Sequence, residues 1–263
     1  MIIVVSDVHL GYEYCNAGDF LNFLDNCISH EIDHLILLGD VFEFWRRNNA
    51  DIILDKVNTD IIARLGDPRI KKVHYVIGNH DYYMLNLYER RINEGQPFPF
   101  TISKSLRLTD GGKKFFFIHG YELEVLANLE PLTIEAYESL SERLCMAKDT
   151  LGGYITSLWN LWKNRSVFAA KIGYIEKPPA ERKGISKADR LATSPGAYLF
   201  LGKMPDEILV YGHTHRPYVS EDGMVVNTGS WVSEKGKDRR FNTYLKIEDG
   251  RFELKDYYTG GTL

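Results

Sequence analysis

The chain has 263 residues, 44% of them hydrophobic, enough to bury the core of one large domain or of one domain carrying an insertion. With 32 Lys and Arg against 36 Asp and Glu the formal charge is −4, which argues against a general polyanion binder with a strongly basic surface. A charged fraction of 26%, with 22 Gly and 9 Pro, excludes disordered, collagenous and coiled-coil chains.

The first apolar run, Ile2–Val5, has no basic segment before it and meets Asp7 and His9 at once, which predicts a strand rather than a leader peptide. Runs at Leu35–Leu38, Val73–Ile77, Phe115–Ile118 and Ile208–Tyr211 are also of strand length and continuously apolar, as expected where both faces are covered. Helical spacing separates the first three: Phe20, Phe23, Leu24, Cys27 and Ile28, then Ile53, Val57, Ile61, Ile62 and Leu65. That order predicts right-handed parallel crossovers. Later the pattern changes. Asp110-Gly111, Asp222-Gly223 and Asp249-Gly250 are hairpin-turn signals. They predict antiparallel pairs of Leu106–Thr109 with Lys113–Ile118, Tyr218–Ser220 with Met224–Asn227, and Thr243–Ile247 with Arg251–Asp256.

Between about residues 121 and 205 the strand pattern disappears, which predicts a helical insertion in a single domain spanning 1–263. Ile134, Tyr137, Leu140 and Leu144 start its stripe, and Leu151, Tyr154, Ile155, Leu158, Trp159 and Trp162 continue it as core of the insertion. Its second half, Lys163–Arg190, carries eight basic residues against Glu176, Glu181 and Asp189, a local charge of +5. Three cysteines, Cys15, Cys27 and Cys145, lack CxxC spacing, so neither a disulfide framework nor a Cys-type zinc site fits. No run approaches the ~18 apolar residues of a membrane span. These features predict a soluble, cytoplasmic protein.

The apolar runs end alike. They lead into Ser6-Asp7-Val8-His9, Gly39-Asp40-Val41-Phe42-Glu43, Gly78-Asn79-His80-Asp81, His119-Gly120 and Gly212-His213-Thr214-His215. Ligands of open α/β sheets bind beyond the carboxyl ends of strands, and five of the eight histidines fall there; His30, His34 and His74 do not and are read as structural. The glycines before Asp40, Asn79 and His213 would let the backbone turn sharply. An Asp/His/Asn set without thiolate suits Mn²⁺, Fe²⁺ or Zn²⁺. Asp7, His9, Asp40, Asn79, His119, His213 and His215 are seven candidate ligands, too many for one ion; with Asp40 bridging they divide into four and four. Two such ions about 3.5–4 Å apart can clamp the oxygens of an in-line displacement at phosphorus. Arg46 and Arg47, close after the second motif, and Arg216, beside the last, are candidates for the substrate phosphate. Asn227, Thr228, Gly229 and Ser230 are expected to form a strand-end turn under the site.

These five motifs, in this order over residues 7–215, resemble those of the calcineurin-like metallophosphoesterases. The resemblance implies a four-layer α/β/β/α sandwich of two mixed sheets with a helical cap insertion. It implies that Asp7, His9, Asp40 and His215 hold one metal, Mn²⁺ foremost, and Asp40, Asn79, His119 and His213 the other. It also implies a metal-bridging hydroxide as nucleophile, His80 as the acid that protonates the leaving oxygen, and Asp81 as the group that orients its ring. Glu43 stands where the family's second motif more often has Asp, and is expected to support the site from outside the metal ligands. The opening Ser-Asp-Val-His-Leu-Gly, the Gly-Asp-Val-Phe-Glu-Phe-Trp stretch and the insertion are similar to the UDP-2,3-diacylglucosamine pyrophosphatase-like group. That similarity implies a phosphoesterase or pyrophosphohydrolase acting on a nucleotide-sugar or lipid-linked phosphoester, with peripheral membrane contact through such a substrate. The lipid A pathway enzymes of that group carry Arg where this chain has His80. A nuclease of nucleic acid is the alternative, kept open by the +5 stretch, and an inactive scaffold is a third. A protein Ser/Thr phosphatase would carry Gly-Asp-x-Val-Asp-Arg-Gly and Gly-Asn-His-Glu instead.

Overall fold

A computed structural model describes residues 1–28, 30–95, 100–128, 132–150, 187–233 and 242–263. The expected strand–helix order is present: β1 (Ile2–Val5), α1 (Ala17–Ile28), β2 (Ile32–Leu38), α2 (Asn49–Leu54), α3 (Lys56–Leu65), β3 (Ile70–Val76), α4 (Tyr83–Asn93) and β4 (Thr101–Ser103). β1 to β4 are parallel neighbours, with Ile3 opposite Leu35 and Leu35 opposite Val73. The hairpin β10 (Thr243–Glu248) and β11 (Arg251–Asp256) adds antiparallel to β1, giving the order β11-β10-β1-β2-β3-β4. The second sheet runs β5-β6-β7-β9-β8, from β5 (Ser105–Asp110), β6 (Lys113–Ile118), β7 (Glu207–Tyr211), β8 (Tyr218–Val219) and β9 (Val225–Asn227). There β6, β7 and β9 are parallel while β5 and β8 pair antiparallel at the edges. Both sheets are therefore mixed.

Alternation along the strands sets the layers, because successive side chains point to opposite faces. Ile2, Val4, Ile36, Leu38 and Val76 face Phe115, Phe117, Ile208, Val210 and Val226 across the space between the sheets. Their neighbours Ile3, Val5, Leu35, Leu37 and Tyr75 face the other way, onto Phe20, Phe23 and Leu24 of α1 and Ile61 and Leu65 of α3. On the far side, Phe116, Ile118, Leu209 and Tyr211 pack on Leu123 of α5 (Tyr121–Asn128) and on Ala188 and Ala192 of α7 (Lys187–Ala192). The result is the α/β/β/α sandwich. Each of these fully buried aliphatic side chains contributes roughly 1.5–3 kcal/mol.

Several local expectations are corrected. The stripe Ile53–Leu65 is two helices: the Asp55 carboxylate accepts from the Val57 and Asn58 amides and starts α3 anew, and Ile62 is exposed. In α6 (Ile134–Thr150) the buried face is Tyr137, Glu138, Ser141 and Cys145, so it is rotated away from Leu140 and Leu144. The rotation is possible because Glu138 is satisfied by the Tyr121 hydroxyl at 2.7 Å and by Lys104 at 2.6 Å. β2 and β3 start earlier than their apolar runs, through residues such as Lys71 and Lys72 that are exposed. In the first hairpin the turn residues are Gly111 and Gly112, both at positive φ, rather than Asp110 and Gly111, since Asp110 pairs with Lys113. The stripe over 151–162 and the basic stretch up to Ser186 lie outside the described residues. α8 (Gly196–Leu201) follows α7, and among the described residues no helix is long and apolar enough to cross a membrane.

His34 and His74 sit on β2 and β3, on the face shared with Ile36 and Val76, and bond to each other, Nδ1 to Nε2, at 2.8 Å. Burial lowers the affinity of both for a proton, reinforced at His34 by Lys72 and at His74 by His34. Unfolded, each titrates near its ordinary value of about 6.5. The unfolded chain thus takes up protons first as pH falls. The pair's contribution is complete above about pH 6.5 and is lost as pH drops through the depressed folded values. The urea midpoint should therefore fall between pH 7.5 and 5.5, and fall less in a His34→Gln/His74→Gln chain. An equal fall in both chains would contradict this account.

Candidate metal centre

The ends of β1 and β2 remain hydrogen-bonded past the last strand residue, with Asp7 N to Gly39 O at 3.0 Å and His9 N to Asp40 O at 2.9 Å. This ladder sets Asp7, His9 and Asp40 side by side. The second sheet is tied to them: His119 Nδ1 donates to Leu38 O at 2.8 Å, and the His213 amide donates to Asp7 Oδ2 at 2.9 Å. From beneath, the Trp231 amide donates to Asp7 O at 3.0 Å, and Ser6 Oγ bonds Thr228 Oγ1 at 2.7 Å. The strand-end turn expected at Asn227–Ser230 thus braces the site.

Among the described residues six non-glycines have positive φ, and Asp7, His9, Asp40, His213 and His215 are five of them. Such a conformation costs of order 1–3 kcal/mol per residue and persists where surrounding structure imposes it. The glycines act differently from expectation. Only Gly39, at φ +80°, supplies a left-handed turn; a Cβ at Gly78 would overlap the Asp40 carboxylate, and one at Gly212 that of Asp7. Those two give room rather than direction, and after Gly212 the left-handed turn is made by His213 itself.

The donor atoms converge in three groups: Asp7, His9 and His215; Asp40, His119 and His213; and His9, Glu43 and His80. Asp7 Oδ1 lies 3.1 Å from His215 Nε2, and Asp40 Oδ2 lies 3.2 Å from His119 Nε2, 3.8 Å from His9 Nε2 and 4.0 Å from His80 Nε2. Burial opposes charge on both aspartates, yet the neighbouring imidazoles outweigh it and hold them below the usual carboxylate range. Burial likewise opposes a proton on His119, but Asp40 and Asp7 win and raise it to about 10. The pocket concentrates negative charge. Asn79 is fully buried, and among the described residues neither its amide oxygen nor its nitrogen has a hydrogen-bond partner. An orphan of that kind costs about 1–3 kcal/mol. A divalent cation fits both facts, since it takes a carbonyl oxygen and neutralises carboxylates while displacing the imidazole proton.

Around these donors the roles differ from expectation at one point. Asp81 does not orient His80. Its carboxylate accepts from the Gly78 amide at 2.8 Å, the Val41 amide at 2.7 Å and the Tyr75 hydroxyl, which fixes the loop instead. The His80 ring is held by Glu43, Oε1 to Nδ1 at 2.7 Å, while Glu43 Oε2 holds His9 Nδ1 at 2.9 Å and Arg46 at 2.5 Å. Trp45 stacks on the His80 ring, centroids 4.1 Å apart. Arg46 thus reaches the cluster, its guanidinium also 5.0 Å from the Tyr12 ring centre. Arg47 is exposed and touches the site through its amide, which donates to Glu43 O; Arg216 is half-buried next to His215.

The calcineurin-like phosphoesterase family model matches residues 1–217. The chain belongs to that family. This calcineurin-like phosphoesterase is accordingly a metal-dependent phosphoester hydrolase. It is similar to UDP-2,3-diacylglucosamine hydrolase from Psychromonas ingrahamii, 22% identical over 258 residues that cover 96% of this chain and 95% of that one. Among solved structures it is similar to a dimetal phosphatase from Danio rerio, 14% identical, TM-score 0.49, covering 97% and 94% of the two chains. It is also similar to the phosphoesterase Yfce from E. coli, 16% identical, TM-score 0.47, covering 100% and 96%.

Three contacts of this phosphoesterase were not anticipated from its sequence. The Trp45 stack could have been suspected from an aromatic two residues beyond Glu43. Cys145, buried on α6, donates to His80 O at 3.2 Å. Asp189 on α7, one acidic residue in a basic run, bonds the loop between His213 and His215. Neither of the last two carries a local signal, because each contact joins segments more than twenty residues apart.

Proposed function

We propose that the centre is dinuclear, with Asp7, His9, Asp40 and His215 around one ion and Asp40, Asn79, His119 and His213 around the other. What carries this is the Asp40 carboxylate, which lies nearer donors of both sets, His119 Nε2 at 3.2 Å and His9 Nε2 at 3.8 Å, than Asp7 does at 4.0 and 3.9 Å. The bound ions, Mn²⁺ foremost with Fe²⁺ or Zn²⁺ as alternatives, supply Lewis acidity at phosphorus and acidify an attacking water. The chain's own residues do the rest. His80, with Nδ1 held by Glu43, turns Nε2 toward the donors and gives its proton to the leaving oxygen. Trp45 covers one face of that ring and restrains its rotation. Arg46, anchored on Glu43, brings a guanidinium to the edge of the cluster to pair with a phosphate oxygen.

For the substrate we infer a nucleotide diphospho-sugar or a lipid-linked phosphoester, supported by the relative from Psychromonas ingrahamii that matches nearly the full length. Its three cysteines are free, which supports the reducing cytoplasm as its compartment. Mn²⁺-loaded protein should be assayed against a UDP-sugar, bis(p-nitrophenyl) phosphate, p-nitrophenyl phosphate and single- and double-stranded DNA. Preferred cleavage of the diphosphate, abolished by EDTA, is expected. Preferred cleavage of DNA would move the assignment to a nuclease, and no turnover of any member would contradict hydrolysis of this class.

Glu43 gives a further expected result. Glu43→Gln keeps the shape but weakens the hold on His9, His80 and Arg46 together. Loss of such an outer partner typically costs about 10- to 100-fold in metal affinity or activity. Metal analysis and turnover measured on the same preparation should show it, and unchanged values for both would refute the clamp.

A further inference from the structure

α7 belongs to the segment between the fourth and fifth site-bearing strands, β6 and β7, yet it touches the loop that follows β7. Asp189, on α7, is 5% exposed. Its Oδ1 accepts from the Tyr211 hydroxyl at 2.5 Å and from the Thr214 hydroxyl at 3.1 Å. Thr214 stands between His213 and His215, and its oxygen also accepts from Asn227 Nδ2 at 2.8 Å. Asn227 Nδ2 further donates to Gly212 O at 3.0 Å, and the Tyr211 hydroxyl bonds that of Tyr218 at 2.8 Å. The Thr214 amide turns back onto Gly212 O at 2.6 Å.

We propose that Asp189 is a positioning residue for the Gly212–His215 loop, fixing through Thr214 the presentation of both imidazoles to the metals. The inference rests on the metal centre proposed above. Its physical basis is the backbone of that loop. His213 and His215 both lie at positive φ, 62° and 56°, a conformation that needs support from outside the loop. Thr214 is the one residue between them, so locking its side chain restrains both neighbours. The hydroxyl has one proton, which goes to Asp189, and accepts from Asn227, so the side chain is held from two sides. A buried carboxylate is costly without such partners, and an apolar residue would pack α7 on Leu209 and Tyr211 as well. α7 thereby couples the end of the inserted segment to metal binding.

The test is Mn²⁺ titration of the full chain by calorimetry, with melting temperature measured on the metal-free form. Asp189→Ala is expected to weaken Mn²⁺ binding about 10- to 100-fold, the range usual for a partner outside the ligands. Asp189→Asn retains an acceptor oxygen for both hydroxyls and should bind close to the unaltered chain. Thr214→Val keeps the branched shape without the hydroxyl and should reproduce the loss, so it decides the matter if Asp189→Ala does not fold. Arg107→Gln, which removes another contact of the insertion, the bond to Gly202 O at 2.9 Å, and touches no ligand loop, should leave the affinity unchanged. A lower melting temperature in folded Asp189→Ala or Thr214→Val with undiminished Mn²⁺ affinity would reduce Asp189 to a packing role and overturn the proposal. Failure of the unaltered chain to bind Mn²⁺ would instead overturn the metal centre itself.

Discussion

Asp40→Ala is expected to lose metal and hydrolysis together, with turnover down by at least about 10³-fold. The figure follows from the several kcal/mol that metal ions contribute to charge stabilisation, at 1.36 kcal/mol per factor of ten. No other side chain of the cluster has its carboxylate near His119, His9 and His80 at once. Asp40 Oδ1 also accepts the His80 amide at 2.8 Å, so alanine removes a loop support as well. Asp40→Asn separates the two effects: its amide oxygen can still accept that N–H, while its charge is gone. Asn should preserve the fold, read by melting temperature in EDTA, and still lose Mn²⁺ by metal analysis. A fully active Asp40→Asn chain retaining its metal would contradict the shared-ligand role.

The second large effect is at His80, and it has the opposite signature. His80→Ala should retain the metals and slow turnover by roughly 10²–10⁴-fold, the usual contribution of a positioned proton donor. The loss should shrink as the leaving group becomes a better one, since p-nitrophenolate needs less protonation than an alkoxide or a nucleoside phosphate. Turnover across a series of aryl and alkyl esters reads this directly. A loss of the same size for every leaving group would assign His80 to structure or to metal retention. The latter has a basis in the geometry, because His80, His9 and Glu43 also converge.

Most of the architecture is written in local pattern. Continuous apolar runs mark strands buried on both faces, and Asp-Gly steps mark hairpins, because both depend on neighbours along the chain. The four-layer sandwich is what the resemblance of the five motifs implies, and the two mixed sheets agree with it. What local pattern does not hold is a choice settled by distant partners. The buried face of α6 includes Glu138, a residue that hydropathy places outside, since its partners Lys104 and Tyr121 come from elsewhere. The break at Asp55 falls inside an unbroken helical spacing, and a single capping carboxylate decides it.

The same division applies to the site. The residue types after each strand identify the donors, for chemistry restricts which side chains a hard or borderline cation takes. Their supports are less visible. Asp81 follows His80 directly and is the natural partner by proximity, yet its oxygens are taken by the Gly78 and Val41 amides and the Tyr75 hydroxyl. Glu43, thirty-seven positions away, holds the ring. Adjacency in sequence puts consecutive side chains in different directions, so the orienting group more readily comes from a neighbouring loop.

Anomalous diffraction at the manganese edge, on crystals grown with Mn²⁺, examines the paired-ion centre without reliance on any substrate. Two peaks flanking the Asp40 carboxylate are predicted, one toward His9 and His215, the other toward Asn79, His119 and His213. A map with no peak there, or with manganese bound only away from those side chains, would contradict it.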